Sequence, residues 1–217
     1  MAAGQFLFTL STVDVATGWT LCRGVRNKGE EAVFDELAEI RRRLPFPLLG
    51  LDSDNGGEFI NHTLVRYCQE QSISLTRGRP YRKNDSCHVE QKNWSVVRRL
   101  VGYARFEQEA LPVLNSLYTL AEEYVNFLQP VLKLVEKTRN GPRVHRRYDT
   151  AQTPYRRLLS LGTISATAAH RLQTRYMAIH PLRLKTALEQ SQTQLYAHGT
   201  RSHSAVMQRM ALGQVSL

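Results

Sequence analysis

The sequence predicts an α/β domain followed by a mainly helical C-terminal region. Up to about residue 107, short runs of aromatic and β-branched residues alternate with stretches that carry apolar residues at helical spacing. Glycine, proline and asparagine separate these stretches. Beyond residue 107 the strand signals stop and helical spacing dominates, so the sheet is expected in the first half of the chain.

The predicted α/β part begins with a β-hairpin and a helix. Residues 6–15 form a strand-like run, Thr17 and Gly18 turn the chain, and residues 19–22 begin the returning strand. A helix is predicted over residues 30–44, where prolines stop it. This order of elements places a helix directly after an antiparallel pair of strands.

Two further strands and two helices are predicted before residue 107. Residues 48–52 and 73–75 are short apolar strands, and residues 63–71 between them are helical. A polar and basic loop over residues 77–85 follows. The next helix is predicted over residues 87–106, because Asp85 or Ser86 can cap its N-terminus.

The C-terminal half is predicted to contain helices joined by loops. Residues 111–128, 154–161 and 166–196 carry helical patterns. Residues 129–150 are basic and are predicted to form a loop. The tail after His198 is polar and only weakly patterned.

The charge of the chain indicates a polyanionic partner. Its 29 lysines and arginines exceed its 19 acidic residues, which gives a net charge of +10. Nucleic acid is the first partner to expect for such a chain, and a basic protein without that function is the alternative. Three scattered cysteines fit a reducing cytosol rather than a disulfide framework. No apolar run reaches the roughly 20 residues that span a bilayer, so no membrane partner is expected.

Two acidic residues occupy positions that suit metal chemistry. Asp54 follows the predicted 48–52 strand, and ligands of open α/β sheets gather at strand C-termini. Glu90 lies in the first turns of the predicted 87–106 helix, and 35 residues separate it from Asp54. Taken alone, Asp54 would more often be a turn residue and Glu90 a partner of the helix dipole.

Four motifs in order resemble the catalytic core of DDE-type integrases and transposases. Residues 51–61 resemble the Asp-Asn-Gly-x-x-Phe segment of retroviral-type integrases and bacterial insertion-sequence transposases. Residues 83–93 resemble the segment that holds the third acid of that family, and residues 12–19 its second core strand. Residues 148–159 resemble the region after the core of bacterial members. The resemblance covers about residues 5–160.

This resemblance implies a ribonuclease-H-like mixed sheet and a DNA strand-transfer activity. Asp54 and Glu90 would be catalytic carboxylates that hold Mg²⁺ or Mn²⁺ in a two-metal site. The implied partners are DNA and further copies of the chain, and the implied location is the bacterial cytoplasm at the nucleoid. The resemblance also suggests three parts, namely a partial catalytic core over 1–107, a helical and basic region over 108–160, and a helical tail over 161–217.

The first acid of the family has no counterpart in the motifs. Asp14 is a doubtful substitute, because residues 12–19 match the second strand of the family rather than the first. We predict that Asp14 is a turn residue. The strand that carries the first acid is expected to be missing between the 6–15 and 47–52 strands. Backbone groups left unpaired there would make folding of this chain marginal or force a rearrangement.

Basic residues near the acids are predicted to contact DNA phosphates, which position DNA without reading its sequence. The predicted DNA-binding set is Arg77, Arg79, Arg82, Lys83, Lys92 and Asn93. Arg98 and Arg99 are as consistent with a solvated helix face. Trp94 and Val97 are predicted to lie in the core. A second basic run, Arg143, His145, Arg146 and Arg147, is either a DNA-binding linker or a solvated connector.

The primary hypothesis from sequence is therefore a fragment of a DNA transposase or integrase that cuts and joins DNA by metal-dependent phosphoryl transfer. Activity of this chain itself stays open, because two of three acids do not make a complete site. The alternative is a catalytically inactive DNA-binding or assembly remnant of a mobile element. A ribonuclease-H-like hydrolase is disfavoured by the integrase-type motifs.

Overall fold

A computed structural model of the chain describes residues 5–53, 62–77 and 92–199. The strands are β1 (Phe8–Val13), β2 (Thr20–Val25), β3 (Gly50–Ser53), β4 (Ser74–Arg77), β5 (Leu134–Asn140) and β6 (Arg143–Tyr148). The first helices are α1 (Glu30–Arg43), α2 (His62–Glu70) and α3, which is π-helical over Asn93–Arg98 and α-helical over Arg99–Val101. The later helices are α4 (Leu111–Glu123), which ends in a π-helical turn over Tyr124–Leu128, α5 (Pro154–Leu161), α6 (Ala166–Ala178) and α7 (Pro181–Ala197).

The mixed α/β class predicted from sequence is confirmed, with the expected hairpin at its start. β1 and β2 pair antiparallel from Phe8↔Val25 to Val13↔Thr20. Trp19, beside the turn, is only 1% exposed and its ring meets Phe127 edge-on. The hairpin is therefore anchored in the core at its turn.

β3 and β4 form a second and parallel pair. Their register runs from Gly50↔Ser74 to Ser53↔Arg77, and α2 lies between them in sequence. Within the described residues, the β1–β2 and β3–β4 pairs are separate two-stranded sheets. The division falls between the two strands where the sequence predicted that a core strand would be missing.

Two apolar clusters hold these pairs and the helices together. The first joins the hairpin to α1, α2 and α5 through the buried side chains of Leu21, Leu37, Ile40, Leu64, Phe127 and Leu158. The second joins β2 to α3, α4 and α7 through Cys22, Val96, Leu114, Leu117 and Leu195. β2 therefore has one face in each cluster, since alternate residues of a strand point to opposite faces. The division of the chain at residues 107 and 160 stays a prediction.

The outer edge of β2 is covered by α4 instead of by another strand. The Gly24 N–H donates to Asn115 Oδ1 at 2.8 Å. The side-chain amide of Asn126 accepts from the Thr20 N–H and donates to the Thr20 carbonyl, both at 2.8 Å. Gly24 permits this approach, because a Cβ there would lie 2.8 Å from the Leu114 side chain. These contacts satisfy an edge that would otherwise expose backbone donors and acceptors.

The prediction that residues 129–150 form a loop, with no strands after residue 107, is wrong. β5 and β6 form a hairpin, and Asn140 pairs with Arg143 across Gly141 and Pro142. Gly141 has a φ of 58°, a conformation that a glycine adopts without steric cost. The glycine-containing turn and the β-branched Val144 favour a hairpin, and this preference prevails over the polar composition that had suggested a loop.

Two helix boundaries also differ from the prediction. The predicted 166–196 helix is divided into α6 and α7, because His180 is extended and caps a new helix that has Pro181 in its first turn. The predicted 87–106 helix ends at Val101, where Gly102 takes a φ of 68°. Its first residues, 87–91, lie outside the described residues. No helix in the described ranges is long and apolar enough to cross a membrane.

Candidate active site

The parallel β3–β4 pair places the ends of two strands, each followed in sequence by a predicted site segment, at one edge of a sheet. β3 ends at Ser53, directly before Asp54, and Ser53 is the register partner of Arg77 at the end of β4. The two strands therefore end side by side, β3 at Ser53 and β4 at Arg77. Asp54, Glu90, Arg79, Arg82 and Lys83 themselves lie outside the described residues.

One carboxylate at this edge was not singled out from sequence. Asp52 is exposed on β3, and its Oδ1 accepts a hydrogen bond of 2.7 Å from the Thr76 hydroxyl of β4. In an extended strand, residues two positions apart point to the same face, so a strand-like pattern pairs position 52 with position 54. That periodicity is the signal in the sequence that would have identified Asp52.

Lys92 and Asn93 lie at the start of the described part of α3, two and three residues after Glu90. Asn93 is exposed, whereas Lys92 is half-buried. Burial lowers the pKa of Lys92, and the negative charge that the nearby Cys22 of β2 carries when it ionises opposes this shift. The same kind of burial raises the pKa of Cys22 to about 11. The Lys92 ammonium is thus partly withdrawn from solvent toward the hairpin.

The prediction that Trp94 lies in the core is wrong, because its side chain is 62% exposed. A π-helical segment has more residues per turn than an α-helix, which rotates residue 94 away from the face expected for 3.6 residues per turn. Val96 is buried instead, and Val97 packs against the second cluster as predicted. The guanidinium of Arg99 lies 5.4 Å from the centre of the Trp94 ring, so this face presents a cation and an aromatic ring to solvent.

Asp14 has the turn role that the sequence predicts. Its Oδ2 accepts hydrogen bonds from the Thr17 N–H at 2.8 Å and from the Thr17 hydroxyl at 2.5 Å. The Asp14 carbonyl also accepts from the Gly18 N–H at 2.7 Å. The carboxylate is therefore engaged in holding the hairpin turn, which is the usual function of an aspartate at such a position.

Replacing Asp14 by alanine is expected to lower the free energy of unfolding by about 1–2 kcal/mol, because two hydrogen bonds to Thr17 are lost. Asp14→Asn keeps a carbonyl oxygen that can accept both bonds. Its loss of unfolding free energy should therefore be only a fraction of the loss in Asp14→Ala. Urea unfolding of the two variants measures the difference. Loss of divalent-metal binding in Asp14→Asn, with stability unchanged, would contradict the turn role.

The strand edge offers one described ligand of the type that a hard divalent cation prefers. Asp52 offers a carboxylate, and Asp54 follows it after one residue. Carboxylate oxygens of this kind are the ligands that Mg²⁺ and Mn²⁺ prefer. No group of three or more His, Cys, Asp or Glu side chains that could hold a metal ion occurs within residues 5–53, 62–77 and 92–199.

Relatives in sequence include a bacterial and a viral protein. No family model matches the chain. The uncharacterized protein y4rM of Sinorhizobium fredii is 45% identical over 157 residues, which cover 72% of this chain and 45% of that protein. The Gag-Pro-Pol polyprotein of bovine leukemia virus is 28% identical over 141 residues, which cover 64% of this chain and 10% of the polyprotein. The chain thus spans less than half the length of either relative.

The structural comparison identifies the fold. The catalytic core domain of BIV integrase matches with a TM-score of 0.50 and 22% sequence identity, over 72% of this chain and 89% of that domain. The chain therefore has the ribonuclease-H-like fold of the retroviral integrase catalytic cores, which is the fold that its motifs predict.

Proposed function

We propose that this chain is part of a DNA transposase or integrase that cleaves and joins DNA strands by metal-dependent phosphoryl transfer. The observation that carries the proposal is the end of β3 at Ser53, beside the end of β4 at Arg77, in an integrase-core fold. Asp54 follows Ser53 in the sequence, and ligands of open α/β sheets gather at the C-terminal ends of the strands, which supports a ligand role for Asp54. The 35-residue spacing to Glu90 then matches the motifs of that family.

In this proposal Asp54 and Glu90 hold the cation and orient the reacting phosphate. A bound Mg²⁺ or Mn²⁺ would stabilise charge on the attacking and leaving oxygens. Asp52 lies beside the site and is held by Thr76, so it is a candidate for fixing the end of β3. The protein contributes placement and charge, which are the main catalytic terms in phosphoryl transfer.

DNA would be bound next to these carboxylates by the basic loop and the start of α3. Phosphate contacts by Arg77, Arg79, Arg82, Lys83, Lys92 and Asn93 are the proposed means. Of these, Asn93 is exposed and Lys92 is half-buried. We further propose that the chain acts as a homo-oligomer and works in the cytoplasm, where its DNA lies.

Strand-transfer assays with Mn²⁺ and labelled duplex DNA test this function. Asp54→Asn and Glu90→Gln are expected to lower the rate at least about a thousandfold, because each removes a charge that holds the cation. Asp35→Asn is the matched control, since this exposed aspartate of α1 lies on an element outside the strand edge. Manganese binding, followed by calorimetry, should weaken in the same two variants and not in the control. Equal activity in all three variants would refute the proposal.

A catalytically inactive DNA-binding or assembly protein is the second candidate. The observation that favours it is the engagement of Asp14 with Thr17, which leaves that carboxylate unsuited to replace the first acid of the family. This candidate predicts DNA binding without Mn²⁺-dependent strand transfer. The assay above separates the two, because only the first predicts a rate that depends on Asp54.

A further inference from the structure

The β5–β6 hairpin carries a cluster of cations that the proposed active site does not use. Every residue from Leu134 to Asn140 and from Arg143 to Tyr148 is exposed. The hairpin holds five arginines and lysines and one glutamate, together with a histidine; the cations are Lys137, Arg139, Arg143, Arg146 and Arg147. It is therefore a basic ribbon that is open to solvent on both faces.

The strand register sorts these residues onto two different faces. Directly opposed residues share a face, and successive residues alternate between faces. Lys137 is opposite Arg146, and Arg139 is opposite Val144, which places three cations and one valine on the first face. Glu136 is opposite Arg147, and Thr138 is opposite His145, on the second face. We call the first face the cationic face.

The second face shows how a solvated ribbon is usually stabilised. Glu136 and Arg147 form an ion pair, with Oε2 and Nε 3.0 Å apart. Opposite charges across a strand pair favour the hairpin. If the hairpin served only as a connector, a similar pairing would be expected on the cationic face.

The cationic face has the reverse arrangement. Lys137 and Arg146 are like charges directly opposite each other, which destabilises a strand pair. Neither forms an ion pair with a carboxylate of the described residues. Arg139 donates a 3.2 Å hydrogen bond from Nε to the Gly141 carbonyl of its own hairpin, and it forms no ion pair with a carboxylate in the part of the chain that the structure describes. A two-stranded ribbon is marginally stable to begin with, so this repulsion indicates a face shaped for an anionic partner.

We propose that the cationic face binds the phosphate backbone of double-stranded DNA, as a contact separate from the β3–β4 strand edge. The seven residues of β5 span about 20 Å, and a two-stranded ribbon fits the B-DNA major groove, which is about 12 Å wide. Arginine and lysine in this arrangement neutralise phosphates without reading bases. The inference shares with the proposed function only the partner, DNA.

Binding of the full chain to a 30-base-pair duplex in EDTA, over a series of salt concentrations, tests this contact. Lys137→Gln with Arg146→Gln is expected to weaken binding at least about tenfold at low salt and to reduce the slope of log K against log salt by about 2. The matched control is Arg171→Gln with Arg183→Gln, which removes the same charge from exposed positions of α6 and α7. The control should bind within about twofold of the original chain, since charge far from the contact is screened.

The design separates binding from folding. Removing the like-charge pair relieves repulsion, so the Gln variant should keep or gain stability while it loses DNA affinity. An unchanged affinity and salt slope, or an equal loss in the control, would overturn the proposal. Absence of duplex binding by the original chain would also overturn it, whatever the Mn²⁺ assay gives. Tighter binding to phosphatidylserine vesicles than to the duplex would assign the face to a membrane surface instead.

Discussion

Replacing Glu122 by glutamine is expected to lower the free energy of unfolding by about 3–5 kcal/mol. The Glu122 side chain on α4 is 4% exposed and bridges two arginines from distant parts of the chain. Its Oε2 accepts from Arg43 of α1 at 2.5 Å, and its Oε1 accepts from Arg175 of α6 at 3.0 Å. The substitution removes the charge that compensates two partly buried guanidinium groups.

The cost is large because Arg43 has few other partners. Among the described residues, Arg43 keeps only weak 3.4 Å contacts to the Thr119 hydroxyl. Arg175 keeps Glu123 at 2.5 Å and the Phe127 ring, whose centre lies 5.3 Å from its guanidinium. Removing one partner of a buried ion pair leaves an uncompensated charge, which costs more than the pair itself contributes. We therefore expect α1 and α6 to loosen from α4 together.

Urea unfolding followed by Trp19 fluorescence measures this change, since Trp19 is buried and Trp94 is exposed. Glu39→Gln is the matched control. Glu39 pairs with Arg42 at 2.8 Å, but the arginine side chain is 74% exposed, so the loss should stay within about 0.5 kcal/mol. Equal losses in the two variants would show that burial does not govern the Glu122 network.

Replacing Asn126 by leucine is expected to cost about 2–4 kcal/mol of unfolding free energy. Asn126 is completely buried, and its amide is the partner of both the N–H and the carbonyl of Thr20. Leucine has a similar volume but no polar atom, so both backbone groups would be left buried and unpaired. The effect would therefore come from hydrogen bonding rather than from a cavity.

Asn115→Ala provides the comparison, because Asn115 is half-buried and accepts one bond, from the Gly24 N–H. The Asn115→Ala variant should lose about 1 kcal/mol of unfolding free energy. Amide hydrogen exchange adds a local readout, and the Thr20 amide should lose protection in Asn126→Leu but not in Asn115→Ala. A neutral Asn126→Leu variant with a protected Thr20 amide would contradict the proposed covering of the β2 edge.

Elements whose signals are local were predicted correctly from the sequence. α5 is an example, since Thr153 accepts a hydrogen bond from the Arg156 N–H and Pro154 occupies the first turn. The Asp14 turn is another, because Asp14, Thr17 and Gly18 are close in sequence and bond one another. In such cases a few neighbouring residues determine the backbone, and tertiary contacts agree with them.

Features that depend on distant residues or on altered helix geometry were not predicted. Asn126 meets Thr20 across 106 positions, and nothing near either residue signals the contact. Trp94 was placed in the core because its position was counted at 3.6 residues per turn, whereas the segment is π-helical. For the candidate site, the pattern located the end of β3, but it passed over Asp52, because the motif directs attention to Asp54.

The separation of the β1–β2 and β3–β4 pairs has a mechanical consequence. A continuous hydrogen-bonded sheet resists sliding of its strands, whereas packed side chains resist compression more than shear. In the described residues, β3 is linked to the hairpin by side-chain packing in the first apolar cluster rather than by strand pairing. Small changes in the volume of residues such as Leu37 and Leu64 would thus be felt as displacement of the strand that leads to Asp54, because close-packed interiors transmit strain. The position of the end of β3 therefore depends on how tightly these side chains pack rather than on a continuous hydrogen-bonded sheet.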